Sequence, residues 1–146
     1  MSFVVDAAVA VKWIADEPGA EDARRLLLTS PLLFAPEFLL VEVAAALTKK
    51  ARRREIPSGR AGHGVSLIRE QVAGSRLVLH LDRDLLDLAA QLAIDLDHAL
   101  YDCLYLALAR ELDVPLVTAD ERFRGRVKQS RLRKLVVSMA EAAAIA

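Results

Sequence analysis

An alternation of two kinds of segment restricts the fold of this chain more than any other feature. Short β-rich runs occur at Phe3–Val5, Leu33–Ala35, Leu77–Leu79, Val114–Thr118 and Leu135–Ser138. Between them lie longer stretches, Ala20–Leu28, Glu37–Arg53, Ser58–Ala73, Arg83–Ile94 and Ala99–Leu112, in which apolar residues recur at steps of three and four, the period of a helix with one buried face. Strands separated by helices pair in parallel, because the returning helix carries the chain back to the edge from which the previous strand set out. The expectation is a three-layer α/β/α fold with a central, mostly parallel sheet of about five strands, covered on both faces. No repeat, low-complexity tract or Pro/Gly/Ser-rich linker interrupts the pattern, so residues 1–146 are read as one domain.

Composition agrees with a self-sufficient core. Of 146 residues, 54% are apolar, and a chain of this size buries roughly 68% of its unfolded surface. Cys103 is the sole cysteine, which excludes an internal disulfide and a paired-cysteine zinc site and suits a reducing compartment. The apolar stretch Phe3–Ile14 is broken by Asp6 and Lys12 and has no basic segment before it, unlike a secretory signal. No uninterrupted apolar run reaches the ~18 residues of a membrane span. A soluble, cytoplasmic protein with no membrane partner is expected.

Lys and Arg balance Asp and Glu at 20 each, so net charge offers no sign of a nucleic-acid partner. Its distribution is more informative. Lys49, Lys50, Arg52, Arg53 and Arg54 form one basic block, and Arg122, Arg124, Arg126, Lys128, Arg131, Arg133 and Lys134 form another that contains no acid. Either block alone reads as a solvated face; together they would contact phosphates along a polynucleotide, positioning it without reading its sequence.

Four acids stand out by position. Asp6 directly follows the first strand run and Asp120 follows Val114–Thr118, so each is a candidate N-cap for the helix after it. In parallel sheets, however, ligands bind in the crevice beyond the carboxyl ends of the strands, where both would project. Asp102 is the only charge between Ala99 and Ala109, and Glu42 the only charge between Phe38 and Leu47. A carboxylate on an otherwise apolar helix needs a partner: an ion pair, hydrogen bonds, a proton or a metal ion. For Asp102 the nearest structural alternative is His98, one turn earlier, followed by a buried Arg; for Glu42 it is a stem packed at the edge of the core with its head in water. Taken jointly, Asp6, Glu42, Asp102 and Asp120 would make the oxygen-rich cage preferred by Mg²⁺ or Mn²⁺ rather than zinc. Such a cage suits phosphodiester hydrolysis.

The segments around these acids carry a family resemblance. Val4–Trp13, Ala35–Val43, Tyr101–Ala109 and Leu116–Asp120 are similar, in order and separation, to the corresponding segments of PIN-domain proteins of the VapC toxin type. That resemblance implies a PIN-like domain over residues 1–146, a metal-dependent ribonuclease acting on RNA, and the toxin half of a toxin–antitoxin pair. It further implies a homodimer neutralised by a small VapB-like antitoxin occupying the active-site groove. By resemblance Asp6 and Asp102 are the principal ligands of Mg²⁺ or Mn²⁺, Asp120 supports the same or a second ion, and Glu42 binds metal, holds a metal-bound water or serves as general base.

Two positions depart from the family pattern. Ala8 stands where a Ser or Thr is common, and Ala45 where an Asn is common, removing a hydroxyl and an amide that would orient the ligands. These losses support the alternative of a degenerate, non-catalytic PIN fold that binds an antitoxin-like partner or RNA. A receiver-like phosphoacceptor domain is a third reading, although it would want paired acids after the first strand, where this chain has Asp6–Ala7. Elsewhere the readings are structural: Cys103, Trp13, Tyr101 and Tyr105 pack, Thr118 caps a turn, and His63, His80 and His98 are too scattered to form a triad or zinc cluster.

Overall fold

The computed structural model describes residues 1–146. Its five strands are β1 (Phe3–Val5), β2 (Leu33–Pro36), β3 (Leu77–His80), β4 (Leu116–Val117) and β5 (Val136–Val137), all parallel, in the order β3-β2-β1-β4-β5. Helices α1 (Ala7–Val11), α2 (Ala20–Thr29), α3 (Phe38–Arg52) and α4 (Ser58–Ala73) fill the connections that run outward from β1 to β3. Helices α5 (Asp82–Leu96), α6 (Leu100–Leu112) and α7 (Glu121–Lys128) fill those that run the opposite way, from β3 to β5. Because parallel crossovers are right-handed, this reversal places the first set on one face of the sheet and the second on the other. The contacts agree: α3 packs on α1 and α4, while α5 packs on α6. The result is the three-layer architecture read from the alternation.

The reversal occurs at β1, whose neighbours are β2 on one side and β4 on the other, in the registers Val4↔Phe34 and Val4↔Leu116. Phe3, Val4 and Val5 are completely buried, as a central strand covered on both faces requires. Helix α6 lies against β1 and β2, and its seven consecutive residues Cys103–Ala109 are all buried. Enclosure between the sheet and the outer helices explains why that helix is apolar around its whole circumference.

Element boundaries moved where local chemistry overrode the apolar pattern. Of Val114–Thr118 only Leu116 and Val117 enter the ladder; the Val114 amide donates to the Ala109 carbonyl at 3.1 Å, closing the end of α6, and Pro115 has no amide to give. Leu135 belongs to a 3-10 turn, Arg133–Leu135, and Ser138 accepts from the Glu141 amide to start a further helix, α8 (Met139–Ile145). Nothing in the alanine-rich run Ala140–Ala146 signals that helix by periodicity; it is held by packing on α2. No helix is long and apolar enough to cross a membrane.

Candidate functional site

The four acids lie toward the carboxyl edge of the sheet, Asp6 after β1, Asp120 after β4, Glu42 on α3 beyond β2 and Asp102 at the start of α6. Asp6 leaves β1 in an extended conformation and caps α1, its Oδ1 accepting from the Val9 amide at 2.9 Å. Asp120 does the same two residues beyond Thr118, its Oδ1 accepting from the Phe123 amide at 3.0 Å to cap α7. Both capping roles anticipated from the sequence therefore exist, and neither excludes a second role, since each cap occupies one carboxylate oxygen.

Asp102 enters from the first turn of α6 and Glu42 from the second turn of α3, which begins where β2 ends. The His98 partner considered for Asp102 is present: Nε2 lies 2.7 Å from Asp102 Oδ2. His98 owes its position to the α5–α6 turn, where Asp97 adopts a left-handed conformation (φ 50°) and Arg126 donates to the carbonyls of Leu96 and Asp97, both at 2.9 Å. Its ring is backed by Phe123, 4.6 Å between centroids. Glu42 does not simply reach into water; its Oε1 accepts from the Tyr105 hydroxyl at 2.6 Å.

His98, Asp102 and Asp120 form the tightest group, with ligand atoms within 4.8 Å of one another. Asp6 and Glu42 lie outside that tight group but close enough for charge to be felt. Burial pushes the Asp6 carboxyl up to about 6; hydrogen bonds from Thr118 and Val9 oppose the rise, and the charges of Asp102 and Glu42 add to it. The Glu42 carboxyl is also raised, first by burial, against the Tyr105 hydrogen bond and with the charges of Asp102 and Asp82. A concentration of negative charge in a partly dry crevice is unfavourable alone and favours a bound cation. Two carboxylates, Asp102 and Asp120, with Asp6 alongside and His98 bonded to Asp102, could hold a hard divalent ion that takes oxygen ligands.

Thr118 has a larger part than a turn cap. It is one of only two fully buried polar residues, with Ser30. Its Oγ1 accepts from the Asp120 amide at 3.0 Å, and the same side chain hydrogen-bonds the Asp6 carboxylate. Ala8 and Ala45 are both exposed, and a hydroxyl near Asp6 is supplied instead by Thr118, one residue beyond β4.

Other expectations were altered. Tyr101 is 57% exposed and stacks on Phe38 with centroids 5.3 Å apart, beside Asp102 rather than within the core. Asp82 was not anticipated; it receives the Phe38 amide at 3.1 Å and faces Glu42, and its only trace in the sequence is an acid opening a helix. Trp13 and Tyr105 are buried as expected, Trp13 donating to the Ala23 carbonyl at 2.9 Å. Cys103 is buried, and burial together with the Asp102 charge pushes its thiol up to about 11, which leaves it unreactive.

The basic blocks do not line the acids as one surface. Lys50 pairs with Glu17 at 2.9 Å, Arg124 with Glu121 at 2.6 Å, and Arg126 holds the α5–α6 turn. Lys49–Arg52 lie seven to ten residues beyond Glu42, about 10–15 Å along α3, and Arg53 and Arg54 follow its end. Arg131, Arg133 and Lys134 line an open concavity just before β5, at the edge where strands begin and opposite the acids. Arg122 lies in the first turn of α7, two residues beyond Asp120.

The chain has relatives among known proteins. The PIN domain family model matches residues 3–128. Ribonuclease VapC1 of Mycobacterium tuberculosis is 34% identical over 119 residues, covering 82% of this chain and 86% of the relative. Two crystal structures share the fold. VapC20 of M. tuberculosis, described as a sarcin-ricin loop cleaving toxin, superposes with a TM-score of 0.65 at 18% identity, over 84% of this chain and 93% of its own. PAE2754 of Pyrobaculum aerophilum superposes with a TM-score of 0.70 at 16% identity, over 99% of this chain and 97% of its own.

Proposed function

The chain belongs to the PIN-domain family, in its VapC ribonuclease branch, and on that premise we propose that it hydrolyses RNA phosphodiester bonds with Mg²⁺ or Mn²⁺ held by Asp6, Asp102 and Asp120. The observation that supports this reading is the grouping of His98, Asp102 and Asp120, with Asp6 and Glu42 near enough to Asp102 for charge to be felt and each acid having an oxygen engaged by a protein donor or by His98. Each acid is thereby oriented; Glu42, Asp102 and Asp120 keep a second oxygen, and Asp6 has a further hydrogen bond from Thr118. When bound, a divalent ion would supply charge neutralisation for the scissile phosphate and a more acidic water. The chain's own contribution is to hold the ligands apart and aligned before the ion arrives, so that little reorganisation remains at the moment of reaction. Glu42, its Oε1 held by Tyr105, would take a proton from an attacking water.

The exposed face of Tyr101, next to Asp102, offers an unstacked base a platform of a kind single-stranded RNA uses. RNA is therefore the substrate class, gripped by Arg122 and by groups near the crevice more than by the distant cluster Arg131–Lys134. Val41, Leu81, Leu86 and Tyr101 leave apolar surface exposed around the rim, which supports a second copy of the chain and a small VapB-like antitoxin as partners. A toxin acting on cellular RNA would work in the cytoplasm. The non-catalytic reading rested on Ala8 and Ala45, and the buried Thr118 hydroxyl between Asp6 and Asp120 favours the enzyme over it.

The test is cleavage of single-stranded RNA by the purified protein with Mn²⁺ or Mg²⁺, abolished by EDTA. Asp102→Asn should lower the rate roughly 10³-fold, equivalent to about 4 kcal/mol of transition-state stabilisation, with the fold unchanged by circular dichroism. An Asp102→Asn protein that cuts as well as wild type would remove the assignment.

A further inference from the structure

We infer that Tyr105 is a positioning residue for Glu42, its hydroxyl clamping Oε1 so that only Oε2 is presented to the crevice. This rests on the metal-dependent reading of the site given above. Tyr105 is 1% exposed, in the middle of the enclosed run of α6, where a phenylalanine would satisfy packing. A buried phenol needs a hydrogen-bond partner, and the one it has is Glu42 Oε1 at 2.6 Å.

The bond links opposite layers of the fold. Glu42 belongs to α3 on one face of the sheet and Tyr105 to α6 on the other, so the contact passes over the carboxyl edge of the strands. Side chains on a helix lean toward its N-terminus, which carries the Tyr105 ring up toward the level of Asp102, three residues earlier on the same face. One rigid helix thus delivers Asp102 and the anchor of Glu42 together. Glu42 itself is half-buried on a helix whose neighbouring Val41 and Ala45 are exposed, and nothing on α3 would otherwise hold its carboxylate in one orientation.

The clamp predicts a particular pattern of coupling. Tyr105→Phe keeps the ring and removes the hydroxyl; it should weaken Mn²⁺ binding by calorimetry roughly tenfold and lower kcat on single-stranded RNA by a similar factor, with KM within about twofold of wild type. On a Glu42→Gln background the same substitution should cost no more than about twofold, because the group through which it acts is already disabled. A purely structural tyrosine would lower both backgrounds equally or leave metal affinity and kcat at wild-type values, and either result overturns the inference.

A second measurement does not depend on the folding of Tyr105→Phe. The chain has two tyrosines, so the ¹³Cζ resonance of Tyr105 is assigned by difference with Tyr101→Phe. It should shift on titration with Mg²⁺ in wild type and stay still in Glu42→Gln; an unmoved resonance in wild type that nevertheless binds Mg²⁺ also overturns it. Wild-type protein that binds neither Mn²⁺ nor Mg²⁺ removes the metal-dependent function first, and the clamp with it.

Discussion

The two acids at strand ends and the two on helices are held by different means. Asp6 and Asp120 are fixed by backbone amides of the helices they cap, at 2.9 and 3.0 Å, and share the buried hydroxyl of Thr118. Glu42 and Asp102 are fixed by side chains, Tyr105 and His98, that the rest of the fold must bring to them. Caps are local: the donor lies three residues from the acceptor and forms with the helix. The side-chain clamps depend on packing, the phenol being 63 residues from its carboxylate and the imidazole backed by Phe123 from α7. The strand-end pair should therefore be robust to changes elsewhere, and the helix pair sensitive to them.

The largest expected effect separates the cost of this site from its use. Folding raises the Asp6 carboxyl from 3.8 to about 6, so the native state binds the proton more tightly than the unfolded chain. The resulting stability is fully present below about pH 3.8 and is lost as pH rises through about 6. At neutral pH the ionised Asp6 is a burden of about 3 kcal/mol on the metal-free protein. Asp6→Asn retains the cap and should raise the melting temperature at pH 7 but not at pH 4. A bound cation must displace the same proton, so Mn²⁺ affinity should fall as pH drops below about 6 in wild type; a flat affinity between pH 5 and 7 would contradict the shift.

Thr118 tests what the strand-end acids share. Thr118→Val preserves shape and removes the hydroxyl that bonds the Asp6 carboxylate and accepts from the Asp120 amide, and Mn²⁺ affinity measured by calorimetry should fall roughly 10- to 100-fold. A loss confined to stability, with affinity intact, would reduce Thr118 to a turn cap. The smallest effect is expected at His98. His98→Asn withdraws Nε2 from Asp102 while keeping a polar side chain, and Mn²⁺ affinity should fall by about tenfold or less, at the low end for a group that orients a ligand. A loss as large as that of Asp102→Asn would instead make the imidazole a ligand in its own right and erase the distinction between holding and binding.

Much of the fold was legible in residue order. The β-rich runs at Phe3, Leu33 and Leu77 begin observed strands, because a strand buried on both faces is apolar throughout and is bounded by helices of a different period. The short strands Leu116–Val117 and Val136–Val137 were overdrawn, since apolar residues next to a strand are also buried when they close a helix or form a 3-10 turn. Asp6 and Asp120 could be placed because a strand end and a cap are local events. Asp82 and the exposure of Tyr101 could not, since each depends on which elements meet at the sheet edge.

What the amino-acid sequence determined by itself is the alternation, and with it the parallel sheet and the edge to which its carboxylates must go: hydrophobic period and capping chemistry act over a few residues and are written in consecutive letters. Only the tertiary structure decided which side chains hold those carboxylates. Tyr105 reaches Glu42 across the top of the sheet, Thr118 stands between Asp6 and Asp120, and Arg131–Lys134 end at the far edge although they follow Asp120 closely in the chain. Contacts of that kind arise where crossovers reverse at β1 and bring distant segments within hydrogen-bond range. No periodicity along the chain encodes such a distance.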